Sequence, residues 1–492
     1  MQCKKPVNTE NTTEKCVVPV CKTSLKLNRV DEVEMTRFEN PFAKNQLLLI
    51  FPRNKEQVTA LRALGEELAV DFWSSVAVGR PLQVRLTPRQ APALEELMQR
   101  LDITSTVLAA DLELLMGDQR MVKAGDSADR VKEKLHRSFD EGEDSQLGGG
   151  GIMTWTDYHS LETIDAYMEY LTRAFPDWVS TEVIGNSFEC RSMRVLKVCR
   201  GGCGGKPAVW LDGGIHAREW ISPAVATYIM MELVEHDSEH PRLTREMDWY
   251  ILPVANPDGY VFTGCDGKMS VNCPSRFWRK TRSCNPEGRT LLGSIGLTEE
   301  DVDVCRGADA NRNWDIHWST RQSSSNYSCH RESYRGSQPF SEVETRNIRD
   351  FLLKHKNDIK IYDSLHSAGS QILMPYGFSK CGLDGCINKP DNFEALLEMA
   401  KLGNAALKTV GGEEYDLLSC LACSLNDDGF SGVSVDWAHA VAKIPFSFTL
   451  ELPPKHGLDG YMKFHLRKDK IIPTGKEVWA FHQAVVEKII NG

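Results

Sequence analysis

His216 and Glu219 stand three residues apart in the segment Gly213-Gly-Ile-His-Ala-Arg-Glu-Trp220, directly after an apolar strand that ends at Leu211. In a turn or a first helical turn, side chains so spaced can reach one point. Imidazole nitrogen and carboxylate oxygen are both good zinc ligands, and a third ligand from elsewhere leaves the fourth position to water, as a catalytic zinc needs. His366, in Ser364-Leu-His-Ser367 just beyond the strand Ile359–Tyr362, stands where a distant third ligand belongs, because functional groups gather at strand ends in open α/β sheets. Glu451 emerges from the apolar strand Phe446–Leu450, where an unpartnered carboxylate is costly to bury. Taken singly, each of these residues reads as structural more readily than as a ligand, since HxxE is a frequent accident.

Two basic segments add to the set: Arg276-Phe-Trp-Arg279-Lys280 and Asp309-Ala-Asn-Arg-Asn-Trp314. Arginines of this kind are ordinarily solvated surface charges. Beside a cleft they clamp carboxylates through paired hydrogen bonds.

In order, spacing and identity, these five segments resemble the zinc carboxypeptidases of the pancreatic carboxypeptidase A/B type, over Met153 to about Val486. The region from about Leu48 to Leu115, with Pro52-Arg-Asn-Lys55 and Val78-Gly-Arg-Pro81, resembles the activation segment of that group. The resemblance implies a zinc ion bound by His216, Glu219 and His366, with Asp309 orienting His216 from behind. It further implies Glu451 as general base, Arg279 facing the attacked carbonyl, and Arg218 holding a substrate backbone oxygen. Asn311 and Arg312 would bind the terminal carboxylate, which restricts the reaction to the last peptide bond, and Cys305–Cys329 would match the group's disulfide. A non-catalytic binding protein of the same fold would be expected to have lost a metal ligand or Glu451, and none is lost here. Regulatory carboxypeptidases that process basic residues generally lack the activation segment.

The sequence departs from the group in two places. The loop Cys423-Ser-Leu-Asn-Asp-Asp-Gly-Phe-Ser-Gly-Val-Ser-Val-Asp-Trp437 has no tyrosine to cover the substrate, and Asp427 or Asp428 stands near that place. Arg282 to Cys305 is longer than usual, with Cys284 available to bind it down. Val435, just before Asp436-Trp437, replaces the acidic residue of basic-specific relatives. An apolar pocket, and so an aliphatic or aromatic C-terminal residue, is expected; Asp427 and Asp428 would reverse this if their loop folded inward.

The elements that must position these groups are legible from periodicity. Strand Gln46–Phe51, a helix begun by Asn54 with Gln57 reaching back, strand Leu82–Leu86, a helix after the capping box Thr87-Pro-Arg-Gln90, and strand Thr104–Leu108 form a small α+β unit. After Leu115 come charges and the run Gly148–Gly151, which is linker chemistry. From near Thr154, strands Ala208–Leu211, Trp249–Val254, Ile359–Tyr362 and Phe446–Leu450 alternate with helices. The expected fold class is α/β: a mixed, doubly wound twisted sheet flanked by helices, preceded by a small open-sandwich prodomain. The chain is read as a polar tail at 1–30, an activation domain at 31–118, a cleavable linker at 119–151 and a catalytic domain at 152–492. A trypsin-like protease would find Arg130, Lys132, Lys134 and Arg137 in the linker, and Arg137 is favoured because the catalytic domain follows soon after.

At 492 residues and 41% apolar content the composition is that of a globular protein of more than one domain. A net charge of -10 argues against a nucleic-acid partner, and the sequence holds no apolar run long enough to span a bilayer. Fifteen cysteines point to an oxidising, extracellular compartment. Close pairs such as Cys199/Cys203, Cys265/Cys273, Cys381/Cys386 and Cys420/Cys423 read as disulfides, with a structural zinc site as the alternative. The start of the chain has no signal-peptide core, so a leader is expected to be missing from it. A monomer acting on peptide and protein C-termini is expected.

Overall fold

The computed structural model describes residues 45–112 except 75, 121–122, 152–264, 275–284, 305–318, 329–378, 381–382, 385–386, 388–419, 430–455 and 463–492. The linker apart from 121–122, its candidate cleavage residues, the tail, Asp427, Asp428, Cys265, Cys273, Cys420 and Cys423 lie outside the described residues.

Near the N-terminus, β1 (Gln46–Phe51), β2 (Asp71–Phe72), β3 (Leu82–Leu86) and β4 (Thr104–Ala109) form an antiparallel sheet in the order β2-β3-β1-β4. Side chains alternate across a strand. Leu48 and Ile50 of β1 therefore enter a core with Leu61 and Leu94 of the two helices, Lys55–Leu68 and Ala91–Arg100. Leu47, of opposite parity, packs instead with Trp73, Phe277 and Phe464. Asn54 caps the first helix by accepting from the Gln57 N–H at 2.9 Å. The Gln57 amide reaches back one residue further than a capping box does, accepting from the Arg53 N–H at 2.6 Å. In the second box, Gln90 accepts from the Thr87 N–H at 2.9 Å as the pattern predicts, and the helix proper begins at Ala91.

The short strands β5 (Met121–Val122) and β6 (Tyr158–His159) pair with each other. The main sheet follows: β7 (Val179–Asn186), β8 (Ser192–Val198), β9 (Ala208–Gly213), β10 (Asp248–Leu252), β11 (Ile359–Ser367), β12 (Gln371–Met374), β15 (Asp416–Ser419) and β16 (Phe446–Leu452), with β13 (Cys381–Gly382) and β14 (Gly385–Cys386) forming a separate hairpin. Its order is β15-β12-β16-β11-β9-β10-β8-β7. The central β10, β9, β11 and β16 run parallel, while β8, β7 and the β12–β16 pairing are antiparallel, so the sheet is mixed as expected.

A parallel strand buried on both faces is apolar throughout, with alternate residues serving opposite layers. Val209 and Leu211 of β9 face one layer with the helices Leu161–Ala174, Ile221–Val234, Phe393–Thr409 and Ile471–Asn491. Ala208 and Trp210 face the other, with the helices Val343–His355 and Ser434–Ala440. The helix Ile221–Val234 is buried almost all round, between the sheet and the helix Ile471–Asn491, which suits its uniformly apolar sequence.

Two strands run further than their apolar cores predict. β11 continues through Asp363 and Ser364 to Ser367, so His366 lies in the strand rather than beyond it. Two polar residues inside it find partners on other elements: Ser364 Oγ donates to Asp212 Oδ1 at 2.7 Å, and Asp363 Oδ2 lies 2.9 Å from His482 Nε2. β16 likewise continues to Leu452, one residue past Glu451.

Candidate active site

The loop that carries His216 and Glu219 leaves β9 at Gly213 and turns back at once toward the helix Ile221–Val234. The turn requires small residues. A Cβ on Gly213 would meet the Ser222 carbonyl oxygen at 2.9 Å, and Gly214 has φ +66°, the left-handed region that side chains disfavour. Ser222 fixes the return, because its Oγ accepts from the Gly214 N–H and donates to the Glu219 carbonyl, both at 2.9 Å.

The remaining groups arrive by register from the next two strands of the sheet. β11 lies between β9 and β16, and its His366 is the direct cross-strand partner of Glu451 on β16. Residues paired in register share a face of the sheet. His366 and Glu451 are thereby set side by side at the end of the sheet where the His216 loop begins.

The three ligand candidates converge. His216 Nδ1 is 2.9 Å from Glu219 Oε1 and 3.0 Å from His366 Nδ1, and His366 Nδ1 is 3.3 Å from Glu219 Oε2. All three side chains are buried, and their ligand atoms lie within 4.8 Å of one another. Two imidazole nitrogens turned toward each other in a buried site, with a carboxylate beside them, make a donor set that fits one zinc ion with an open coordination position. Burial opposes ionisation of Glu219, but His216 and His366 hold its carboxyl far below the usual range.

Asp309 stands behind His216, with Oδ1 3.1 Å from its Nε2. This contact directs the far nitrogen to the carboxylate and leaves Nδ1 for the cluster. Arg279 donates to Asp309 Oδ2 from both Nε, at 3.0 Å, and Nη2, at 2.9 Å. Its Nη1 remains on the cluster side, 3.6 Å from Glu219 Oε1. Although Asp309 is buried, Arg279 and then His216 hold its carboxyl well below the ordinary carboxylate range. For Glu451, burial pushes the carboxyl up to about 7 against the pull of His366, with Glu219 adding to the rise.

Asp309 also accepts from the Asn311 N–H at 2.9 Å, opening the short turn Ala310–Arg312. Asn311 Nδ2 lies 3.4 Å from His366 Nε2, and its Oδ1 accepts from the Ser434 N–H at 2.8 Å. Arg312 donates from Nη1 to the Asn311 carbonyl at 2.7 Å and lies over the Phe430 ring at 4.6 Å. Val435, on the helix Ser434–Ala440, is buried in the same apolar cluster as Trp314 and Trp437.

Arg218 points to the N-terminal sheet. It donates from Nη1 to Asp71 Oδ2 at 2.9 Å and lies 4.1 Å over the Phe464 ring. Asp71 Oδ2 also takes the Trp73 indole N–H at 2.9 Å and Arg85 Nε at 3.1 Å. The Trp73 ring packs on Phe277 at 5.1 Å and on Phe464 at 5.0 Å. Sequence reasoning singled out neither Asp71 nor Trp73. The signal was present, since an acidic residue between Val70 and Phe72 is a charge set in an apolar run.

Cys305 and Cys329 are bonded to each other, and so are Cys199 and Cys203, which settles that close pair as a disulfide rather than a zinc site. Cys284 is itself in a disulfide.

Residues 164–481 match the family described as zinc carboxypeptidase, and residues 48–119 match carboxypeptidase activation peptide. The chain is 33% identical to carboxypeptidase A2 of Mus musculus over 457 residues, which is 92% of this chain and 95% of that protein. It is 36% identical to carboxypeptidase B of Astacus astacus over 327 residues, 66% of this chain and 95% of that protein. Among solved structures it is similar to thrombin activatable fibrinolysis inhibitor, with TM-score 0.70 at 27% identity over 92% of this chain and 100% of that one. Carboxypeptidase A from Helicoverpa armigera gives TM-score 0.71 at 25% identity, over 92% of this chain and 99% of that one.

Proposed function

From the premise that this chain belongs to the zinc carboxypeptidase family and carries its activation peptide, we propose that it is a secreted, monomeric zymogen that removes apolar residues from peptide C-termini after tryptic cleavage of its linker. The activation domain is taken as 31–118, the linker as 119–151 with Arg137 as the favoured cut, and the catalytic domain as 152–492. The observation that carries the reading is the convergence of His216, Glu219 and His366 on one point, with Glu451 beside His366 in register.

His216, Glu219 and His366 would hold the zinc. When bound, zinc supplies Lewis acidity, bringing the pKa of water to about 7 and polarising a carbonyl. Glu451 takes the proton of the attacking water and returns it to the departing amine. Arg279, locked by Asp309 on two nitrogens, turns its third toward the oxygen on which charge develops. A preorganised donor of that kind is worth about 100- to 1000-fold in rate. Asn311 and Arg312 receive the terminal carboxylate, so a bond with chain on both sides lacks that partner. Val435 offers no charge to the last side chain, which favours aliphatic and aromatic residues. Latency follows from the contact of Asp71 with Arg218, a group the substrate backbone would otherwise use. Secretion is supported by Cys199–Cys203 and Cys305–Cys329 and is compatible with the finding that, among the described residues, no helix is long and apolar enough to cross a membrane.

Peptides that differ only in their last residue, offered to the zinc-loaded chain before and after trypsin, test this. Release of leucine or phenylalanine after cleavage, abolished by a chelator, is expected. Release of lysine alone would remove the pocket assignment, and no release from any peptide would favour a binding protein.

A further inference from the structure

Lys463 lies at the junction of the small sheet and the cleft, adjoining Phe464. Its Nζ donates to the backbone carbonyl of Trp73 at 3.3 Å, on the same segment whose Asp71 carboxylate is held by Arg218. Lys463 also interacts electrostatically with Glu451 and with Arg218. An ammonium group is rarely withdrawn from water unless acceptors or an opposite charge await it. The Trp73 carbonyl that accepts from Lys463 belongs to the segment that activation removes. Once the segment leaves, two cations, Arg218 and Lys463, remain together beside Phe277 and Phe464.

Given the reading in which Asn311 and Arg312 take the terminal carboxylate, the part of a substrate upstream of the scissile bond runs toward this corner. We propose that Lys463 and Arg218 form a subsite for an acidic side chain upstream of the scissile bond, at the residue before the bond or the one preceding it. The inhibitory segment Asp71-Phe-Trp73 has the complementary chemistry: a carboxylate on Arg218, an aromatic ring between Phe277 and Phe464, and a carbonyl on Lys463. Two neighbouring cations oppose each other, and a substrate carboxylate between them relieves that repulsion as well as accepting their hydrogen bonds. A neutral glutamine in the same place can take a hydrogen bond but relieves nothing.

The test uses the full chain, loaded with zinc and cut with trypsin, and peptides ending in the same leucine with Glu, Gln or Lys at either upstream position. The intact side chain is expected to give Glu an advantage of about tenfold over Gln in kcat/KM, the size of one charge-assisted hydrogen bond in a partly wet cleft. Lys463→Met and Lys463→Gln are expected to abolish that ratio, and Lys463→Glu to turn it toward Lys; zinc content and thermal midpoint report that the variants fold. A Glu-to-Gln ratio near one in the unaltered protein, or one that survives Lys463→Met, overturns the proposal. So does a variant that shifts the pH profile equally for every peptide without moving the ratio, the behaviour of a lysine acting only on Glu451. Failure to release leucine from any peptide marks the loss of the carboxypeptidase reading itself, and the subsite falls with it.

Discussion

Asp71 accepts a hydrogen bond from Arg218 at 2.9 Å, across 147 positions of sequence, through the same oxygen that serves the Trp73 indole. A single carboxylate oxygen thus ties the small N-terminal sheet to the loop that bears His216 and Glu219. Arg85 completes the arrangement at 3.1 Å, so both guanidinium groups depend on one buried anion.

Asp71→Asn is expected to loosen the activation segment. Breaking a buried ion pair from one side costs about 3–5 kcal/mol, because the other charge stays buried without its partner. The uncut variant should hydrolyse a small peptide faster than the uncut original, read as an initial rate; equal rates would show that the contact does not restrain the cleft. Burial opposes ionisation of Asp71, but Arg218 and Arg85 bring its pKa below 3.8. Its contribution is therefore present above its unfolded pKa and is lost as pH falls through the lower folded value.

Glu451→Gln keeps the shape of the site and removes the proposed base. A fall in kcat of about 100- to 10,000-fold is expected, the usual worth of a positioned proton acceptor. Zinc content, measured by atomic absorption, should stay at its original value, and a variant that loses zinc would make Glu451 a ligand instead.

Asp309→Asn removes the charge behind His216 and the anchor of Arg279 together. Loss of an outer partner of a ligating histidine typically weakens metal affinity about 10- to 100-fold. Competition with a chelator of known affinity reads this directly, and an unchanged zinc affinity would separate Asp309 from the metal.

Glu344 gives a pH prediction away from the site. Burial, then Asp258 and Glu342, raise its carboxyl to about 8. Between the ordinary 4.5 and about 8 the folded chain keeps a proton that the unfolded chain has released, so this group lowers stability as pH rises. Glu344→Gln should match the original protein in thermal midpoint near the lower end of that window and exceed it near the upper end. A constant difference at every pH would contradict this.

Much of the site was readable because it is either local or written in residue types. His216 and Glu219 share one turn, and Gly213-Gly214 before them are the small residues that such a turn needs. His366 and Glu451 each looked unremarkable until β11 and β16 placed them side by side. The length of β11 was misjudged because Asp363 and Ser364 interrupt its apolar run, and only the partners His482 and Asp212, distant in sequence, make them acceptable in a strand. The grip of the N-terminal sheet on the cleft was illegible for the same reason. Lys463 meets Trp73 across 390 positions, and nothing in either neighbourhood announces the other.

The groups proposed to carry out hydrolysis and those proposed to choose the substrate are held by different elements that meet at one turn. His216, Glu219, His366 and Glu451 depend on the ladder of β9, β11 and β16, whereas Val435 sits on a segment tied to Asn311 by the Ser434 amide and to the Ile316 carbonyl by the Gly432 amide. The turn also touches the first set, since Asn311 donates its N–H to Asp309 and its Nδ2 lies 3.4 Å from His366 Nε2, so drift that moves Asn311 reaches the metal-site candidates. A lineage built on this scaffold can therefore change its diet only by substitutions that leave Asn311 where it is.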